Sequence, residues 1–527
     1  MVDIGKQVEW YKRMNLYVVY ADAFRNGKRG DFFSLAKNLE YIKETGFDVI
    51  HVLPFLESPM QDAGFDVSDF FKVRKRLGGN EGFEVFLREV GRLKMKVFMD
   101  LVVNHVSVEH EWFKKAVSGD EYYRNFFIHT PVQPKLIEVE DDRWGKWARY
   151  RLNRRELRSR IIFLNQNGEL PHWFRGEDGF WYYHTFYKHQ IDLNWTNPEV
   201  VKAFGEVISF WGGKGLSFRI DAAPFAGKNL SNIREGQMGS HKVVRELRRI
   251  VKEVNKDGVL LIEACQPMYK MKKYFGSDEQ PEAEMAYNFE LMRGLWATMV
   301  SGKGSYIWKA LRRTRDIPSH AGWVSFLRNH DELSLEYAQP KVRRLVYDSL
   351  VKNGVEFRGE YGLAGRTASF LKKDPRKIVL AHFLLASVNG ACAVVYGDEV
   401  GKVTNRRYIR IDARDGNRGW LTETELGSKK AKTVRDELSK IFRTRLKYPE
   451  LAVVKPIRSN RGKRNWLSLR YGGEGREIEV FVNLSRKKRV VSMDENKKLA
   501  LSINRAERKE DKIVLPAYSG VWLVGKE

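Results

Sequence analysis

An α/β fold is what this sequence of 527 residues predicts: a (β/α)8 TIM barrel with a subdomain inserted after strand three and a C-terminal antiparallel β-sandwich domain. Three observations carry the prediction. Short, near-continuous apolar runs alternate with amphipathic stretches roughly eight times, the pattern of parallel strands covered on both faces. Between Val106 and His189 that rhythm breaks into aromatic, charged, weakly periodic sequence. Beyond Tyr448-Pro449 the apolar residues alternate one by one, as half-buried antiparallel strands do. The expected division is therefore a barrel over 1–105 and 190–447, an insertion over 106–189 and a sandwich over 448–527.

The elements follow in order. Asn15 to Tyr20 reads as the first strand, Phe33 to Thr45 as a helix with Leu35, Ala36, Leu39 and Ile42 on one face, and Asp48 to Leu53 as the second strand. A helix from Gly82 to Leu93 leads to the strand Lys96 to Leu101. After the insertion, Asn197-Pro198-Glu199 offers an N-cap, a first-turn proline and an early acid for a helix reaching Trp211. The strand Gly215 to Ala223 comes next, then a helix from Ser240 to Val254 and the strand Val259 to Glu263. A sixth unit lies near Met285 to Phe289, a helical stretch runs from Met292 to Leu311, and Trp323 to Leu327 is the seventh strand. A helix over Ile378 to Val388, the strand Ala391 to Tyr396 and a helix from Lys432 to Leu446 complete the barrel. In the last domain Trp466 to Tyr471, Glu477 to Val482 and Gly520 to Val524 are strands.

Composition narrows the function classes. No run of about 18 apolar residues occurs, and the start, Met1 to Lys6, has no apolar signal core, so a cytoplasmic protein without a membrane partner is expected. Cys265 and Cys392, the two cysteines, lack metal-ligand spacing and read as small buried residues. A formal net charge of +26 raises nucleic acid as a partner. The densest basic run, Arg149, Arg151, Arg154, Arg155, Arg158 and Arg160, has only Tyr150 interleaved and reads instead as a solvated face. Trp144, Trp147, Trp173 and Trp181 are candidates for sugar platforms or for the core of the insertion. Nothing in the chain sets an oligomeric state.

Active sites of such barrels lie at the C-terminal ends of the strands. Asp100, Asn104 and His105 fall there on strand three, Arg219 and Asp221 on strand four, Glu263 on strand five, and Asn329, His330 and Asp331 after strand seven. Burying Asp221, Glu263 and Asp331 at one mouth is costly unless they pair, as Arg219 and Asp221 could, or do chemistry. Glycosyl transfer uses this inventory: a carboxylate to attack, a carboxylic acid to protonate the leaving oxygen, and further negative charge to stabilise an oxocarbenium-like transition state.

Four ordered motifs carry a resemblance: Asp100-Leu101-Val102-Val103-Asn104-His105, Phe218-Arg219-Ile220-Asp221-Ala222, Leu261-Ile262-Glu263, and Phe326-Leu327-Arg328-Asn329-His330-Asp331. On these the chain resembles the alpha-amylase family, glycoside hydrolase family 13, over essentially its whole length. The resemblance implies Asp221 as nucleophile, Glu263 as general acid/base and Asp331 as the third carboxylate. Arg219 would keep Asp221 ionised, and His105 and His330 would bind sugar hydroxyls. A retaining mechanism places the Asp221 and Glu263 carboxyls about 5–5.5 Å apart. Asp62, in Asp62-Ala63-Gly64-Phe65-Asp66, would grip the terminal glucose, with Phe65 replacing the usual stacking Tyr and with Arg414 and Arg418 as partners of Asp62. Phe186 and Gln190, in Phe186-Tyr187-Lys188-His189-Gln190, join the substrate-binding set. That stretch and Asp331-Glu332-Leu333-Ser334-Leu335-Glu336 are most similar to trehalose synthases.

The resemblance thus implies a retaining enzyme on small α-glucosides such as maltose, trehalose or sucrose, interconverting maltose and trehalose. An α-glucosidase or sucrose-type phosphorylase on the same scaffold is the alternative, and a non-catalytic barrel serving as an interaction module is a further one. No cofactor is required. A structural calcium ion is the one metal the resemblance raises: Asn104 and Asp192 match two ligands, but Lys228 stands where an acidic ligand is expected and could supply the positive charge itself. After Arg418 the sequence Gly419-Trp420-Leu421-Thr422 departs from the family pattern, which puts the acceptor side in question.

Overall fold

The structure, a computed structural model, describes residues 8–26, 29–142, 145–162, 170–409, 412–457, 465–472 and 476–525. Met1 to Lys6 and Trp144 lie outside the described residues. Eight parallel strands close into a barrel: β1 (Asn15–Val19), β2 (Val49–Val52), β3 (Lys96–Val102), β4 (Ser217–Asp221), β5 (Leu260–Ile262), β6 (Met285–Tyr287), β7 (Gly322–Phe326) and β8 (Ala391–Val395), with β8 pairing back onto β1. Leu216, Phe218 and Ile220 are fully buried, and so are Leu260, Leu261, Ile262 and Met285, because each strand is covered from both sides. The sixth strand stands where it was expected, between β5 and β7.

The helices show where local chemistry decides. Asn197 caps the helix Pro198–Gly212 by accepting from the Glu199 amide, with Pro198 in the first turn. The single helix expected over Phe33 to Thr45 is two, Phe32–Lys37 and Leu39–Glu44. Asn38 interrupts it by donating its side-chain amide back to the Ser34 carbonyl, a bond that competes with the helical ladder. Between β7 and β8 the sequence reading passed over the helix Pro340–Leu350 and a small sheet of Leu333–Ser334, Val355–Glu356 and Gly362–Ala364.

Residues 106–189 hold two three-stranded sheets of their own, one made of Lys135–Asp142, Gly145–Leu152 and Arg155–Arg160. Trp173 is buried among Ile128, Tyr150 and Tyr183, and Trp181 packs against that cluster, so both are core residues of this region. The basic run pairs with acids across the first sheet: Arg149 with Glu138, Glu140 and Glu156, and Arg158 with Glu140 and Asp142. At the C-terminus a four-stranded antiparallel sheet, containing Trp466–Tyr471, Ile478–Asn483, Lys497–Ile503 and Gly520–Gly525, faces a three-stranded one. Val521 and Leu523 of the first meet Ile513 and Leu515 of the second, while the alternate residues Trp522 and Val524 turn to the barrel. Among the described residues no helix is long and apolar enough to cross a membrane.

Candidate active site

Parallel register builds the centre of the site. Arg219 on β4 lies beside Asp100 on β3 and Leu261 on β5. The ladder continues past β5, where the Glu263 amide donates to the Ile220 carbonyl and the Ala223 amide to the Glu263 carbonyl, both at 3.1 Å. Asp221 and Glu263 are thereby held side by side. Ala222 takes the left-handed conformation (φ 45°), uncommon for a residue with a Cβ, and turns the chain sharply just after Asp221. Nη1 of Arg219 donates to Asp100 Oδ1 and to Asp221 Oδ1, and Nη2 to Glu263 Oε2, each at 2.5 Å. One buried guanidinium serves three carboxylates.

This division corrects the expectation that Arg219 keeps Asp221 ionised. Burial pushes the Asp221 carboxyl up to about 8; Arg219 pulls the other way, and Glu263 and Asp100 add to the rise. A single positive charge cannot fully compensate three neighbouring carboxylates. Asp331 is the opposite case. Against the cost of burial, His330, Arg414 and Arg418 hold its carboxyl well below the usual carboxylate range. Burial pulls His330 and His105 down to about 4, so both rings are neutral at pH 7.

Asp62, Gln190, Arg414 and Arg418 come together beside Asp331. Arg414 bridges Asp62 and Asp331 at 3.3 Å each, Gln190 donates to Asp62 at 3.0 Å, and Arg418 donates to Asp331 at 3.2 Å. Phe65 stacks on His330 with ring centroids 5.4 Å apart. His105 differs from the expected sugar ligand, since both its ring nitrogens face protein groups: Nε2 the Phe65 carbonyl and Nδ1 the Asn104 amide, each at 3.2 Å. It forms a wall against the edge of Phe186, 5.5 Å away.

Next to this cluster, with Arg414 shared, lies a cavity of about 140 Å³ bordered by Glu263 and Asp331. Its further lining includes Arg160, Cys265, Glu332, Glu336, Phe357 and Arg358. Sequence reasoning missed most of these. Arg160, expected on a solvated face, is buried and pairs with Glu235 and Glu336, while Arg358 binds Glu332 and Glu336. The only signal available was the placement of Glu332 and Glu336 just after Asp331. Cys265, read as an inert core residue, borders the cavity and accepts from Arg293 at 3.3 Å. By contrast, the stretch after Arg418 does not line the cavity. Arg25 lies 3.2 Å over the Trp420 ring and the Leu421 amide donates to the Ala23 carbonyl, so this segment is bound to the loop after β1.

Asn104 and Asp192, the calcium candidates, face an ammonium. Nζ of Lys228 lies 2.8 Å from Asn104 Oδ1, 2.6 Å from Thr185 Oγ1 and 2.8 Å from Asp192 Oδ2, and it also donates to the Phe225 carbonyl. These oxygens, which would otherwise suit a hard cation, are taken up by a buried lysine, and the donor set does not fit calcium.

Comparison with known proteins agrees with this geometry. The model of the alpha-amylase catalytic domain matches residues 18–344. Trehalose synthase from Pimelobacter sp. (strain R48) is 32% identical over 433 residues, 80% of this chain and 71% of that protein. Trehalose synthase from Thermus thermophilus is 32% identical over 402 residues, 75% of this chain but 39% of the longer relative. Among solved structures, the alpha-amylase from H.orenii superimposes with a TM-score of 0.74 at 20% identity, covering 98% of this chain and 100% of its own. With four motifs converging on one buried carboxylate cluster and a family model matching more than half its length, the chain belongs to the alpha-amylase family of glycosidases and transglycosidases.

Proposed function

We propose that the enzyme interconverts maltose and trehalose through a covalent glucosyl-enzyme intermediate. The observation that carries this reading is the carboxylate cluster at one cavity: Glu263 and Asp331 border it, and Asp221 shares the Arg219 guanidinium with Glu263. Asp221, once ionised, attacks the anomeric carbon, the glycosidic C–O bond breaks, and Glu263 as general acid gives a proton to the leaving oxygen. Glu263 then takes a proton from the 1-hydroxyl of the released glucose, which attacks the same carbon from the same face. Two inversions give net retention. The close spacing a retaining pair needs is supported by the backbone ladder and the shared Arg219.

For this outcome the released glucose must turn so that its 1-hydroxyl replaces its 4-hydroxyl, without leaving and without admitting water. Asp62, Arg414 and Asp331 close one end of the pocket, and the ion-paired set Arg160, Glu336, Arg358 and Glu332 walls the other. Incubation with maltose, trehalose and sucrose, each with and without phosphate and followed by NMR, tests the reading. Trehalose forming from maltose faster than free glucose accumulates is the expected result. Glucose alone from maltose would make the enzyme an α-glucosidase, and glucose 1-phosphate from sucrose with phosphate would make it a phosphorylase.

We propose further that Lys228 removes any need for calcium. Thermal unfolding of the wild type should be indifferent to a chelator. Lys228→Met should lose about 3–5 kcal/mol of stability, because it leaves the Asp192 carboxylate buried without its cation. A wild-type midpoint that falls on chelation and recovers with calcium would refute this.

A further inference from the structure

The guanidinium of Arg219 is itself held by a chain of contacts that starts one strand earlier than the catalytic motifs. His51 on β2 is 1% exposed, and its Nε2 lies 3.0 Å from Asp100 Oδ2. A carboxylate only accepts, so the imidazole proton is on Nε2. Among the described residues Nδ1 has no hydrogen-bond partner. The other oxygen of Asp100 accepts from Arg219 Nη1, which also serves Asp221. His51, Asp100, Arg219 and the Asp221/Glu263 pair thus form one hydrogen-bonded line across β2, β3, β4 and the end of β5.

Competition for Nη1 makes this line matter. Asp100 and Asp221 accept from the same nitrogen at the same 2.5 Å, so each limits the other's share of one positive charge. A donor on the far oxygen of Asp100 reduces that residue's demand on Arg219 and fixes the plane of its carboxylate. We propose that His51 is a positioning residue for glycosyl transfer: by donating to Asp100 it fixes the plane in which Arg219 presents Nη1 to Asp221 and Nη2 to Glu263. It touches no reacting atom. No signal in the sequence marks it, because His51 sits in the apolar run Asp48 to Leu53 and outside all four motifs.

The charged and titratable groups around the line are few. Asp100 faces Arg219 and His51, with His330 beyond them, and Arg219 faces Glu263, Asp100, Asp221 and Tyr287. Without the His51 donor, Asp100 takes a larger share of Arg219, and the Asp221 carboxyl, already raised, holds its proton more tightly. Asp221 must be ionised to attack, so the acid limb of kcat/KM should move up in pH.

The inference rests on the assignment of Asp221 and Glu263, and the experiment separates the two. Wild type, His51→Leu, His51→Gln and Asp221→Asn are compared for kcat, KM and the pH profile of kcat/KM on maltose, with thermal midpoints measured alongside. His51→Leu should lower kcat about 100-fold, the cost of a small misplacement of catalytic groups, with KM changed less than about threefold and the acid limb displaced upward. His51→Gln, whose amide can donate in place of Nε2, should recover most of kcat. The inference is overturned if His51→Leu keeps wild-type kcat and pH profile, or if both variants lose activity equally and only in proportion to lost folded protein. Undiminished turnover by Asp221→Asn would instead overturn the catalytic assignment beneath it.

Discussion

Asp221→Asn is expected to lose at least about 10⁴-fold in turnover of every α-glucoside the wild type uses, and to be the more stable protein above pH 4. Both halves follow from one arrangement. Removing the attacking oxygen leaves no route to the glucosyl-enzyme, and losses of that size accompany deletion of a nucleophile that works as part of a unit. The same substitution takes one of three carboxylates off a single guanidinium. An aspartate titrates near 3.8 when unperturbed, whereas Asp221 is pushed up to about 8 by burial and by its neighbours. The folded chain therefore binds this proton more tightly than the unfolded one. The stability it brings is complete below about pH 4 and is lost as pH rises through about 8. Asparagine has no such dependence, so the gap in thermal midpoint should widen between pH 4 and 8. Thermal scans across that range, together with kcat/KM, check both halves. A gap that stays constant with pH would show that burial of the charge is not what the site costs.

That cost was not legible in the sequence, although the residues were. Parallel strands buried on both faces announce themselves as apolar runs, and a barrel needs little else: Leu216, Phe218 and Ile220 point to β4 as plainly as Val394 and Val395 point to β8. A helix break at Asn38 depends on which neighbour a short amide side chain chooses, and residue type alone leaves that choice open. The helix Pro340–Leu350 was hidden for a related reason, since its buried stripe is Arg343, Val346 and Leu350, and an arginine in that stripe breaks the apolar period.

Within the site, residues at strand ends were legible because the strand fixes where they point, and loop residues were not. Asp62, Gln190, Arg414 and Arg418 come from three separate loops, yet short motifs carried them. Arg160 belongs to a run of arginines of which Arg149, Arg151 and Arg158 pair with acids at the surface of the insertion. Only the tertiary fold turns it inward to Glu235 and Glu336. Lys228 could be suspected from the missing acid, but its contacts with Asn104, Thr185, Asp192 and the Phe225 carbonyl needed the structure. The divided loyalty of Arg219 is a matter of geometry among groups the sequence had already named.

Glu263→Gln is the companion test, and its effect should depend on the leaving group. On maltose, where the departing sugar oxygen must be protonated, a loss of about 10²–10⁴-fold is expected. On 4-nitrophenyl α-glucoside the leaving phenolate needs no proton, so the first step should be far less affected. The second step still lacks a base, so the glucosyl-enzyme should accumulate, visible as a burst of nitrophenolate followed by slow turnover. Azide, which attacks without a general base, should restore turnover and yield α-glucosyl azide, because it enters from the face the sugar left. Asp331 cannot substitute for the lost acid, since against the cost of burial Arg414 and Arg418 hold its carboxyl well below the usual carboxylate range. A variant that gains nothing from azide would move the acid/base role away from Glu263.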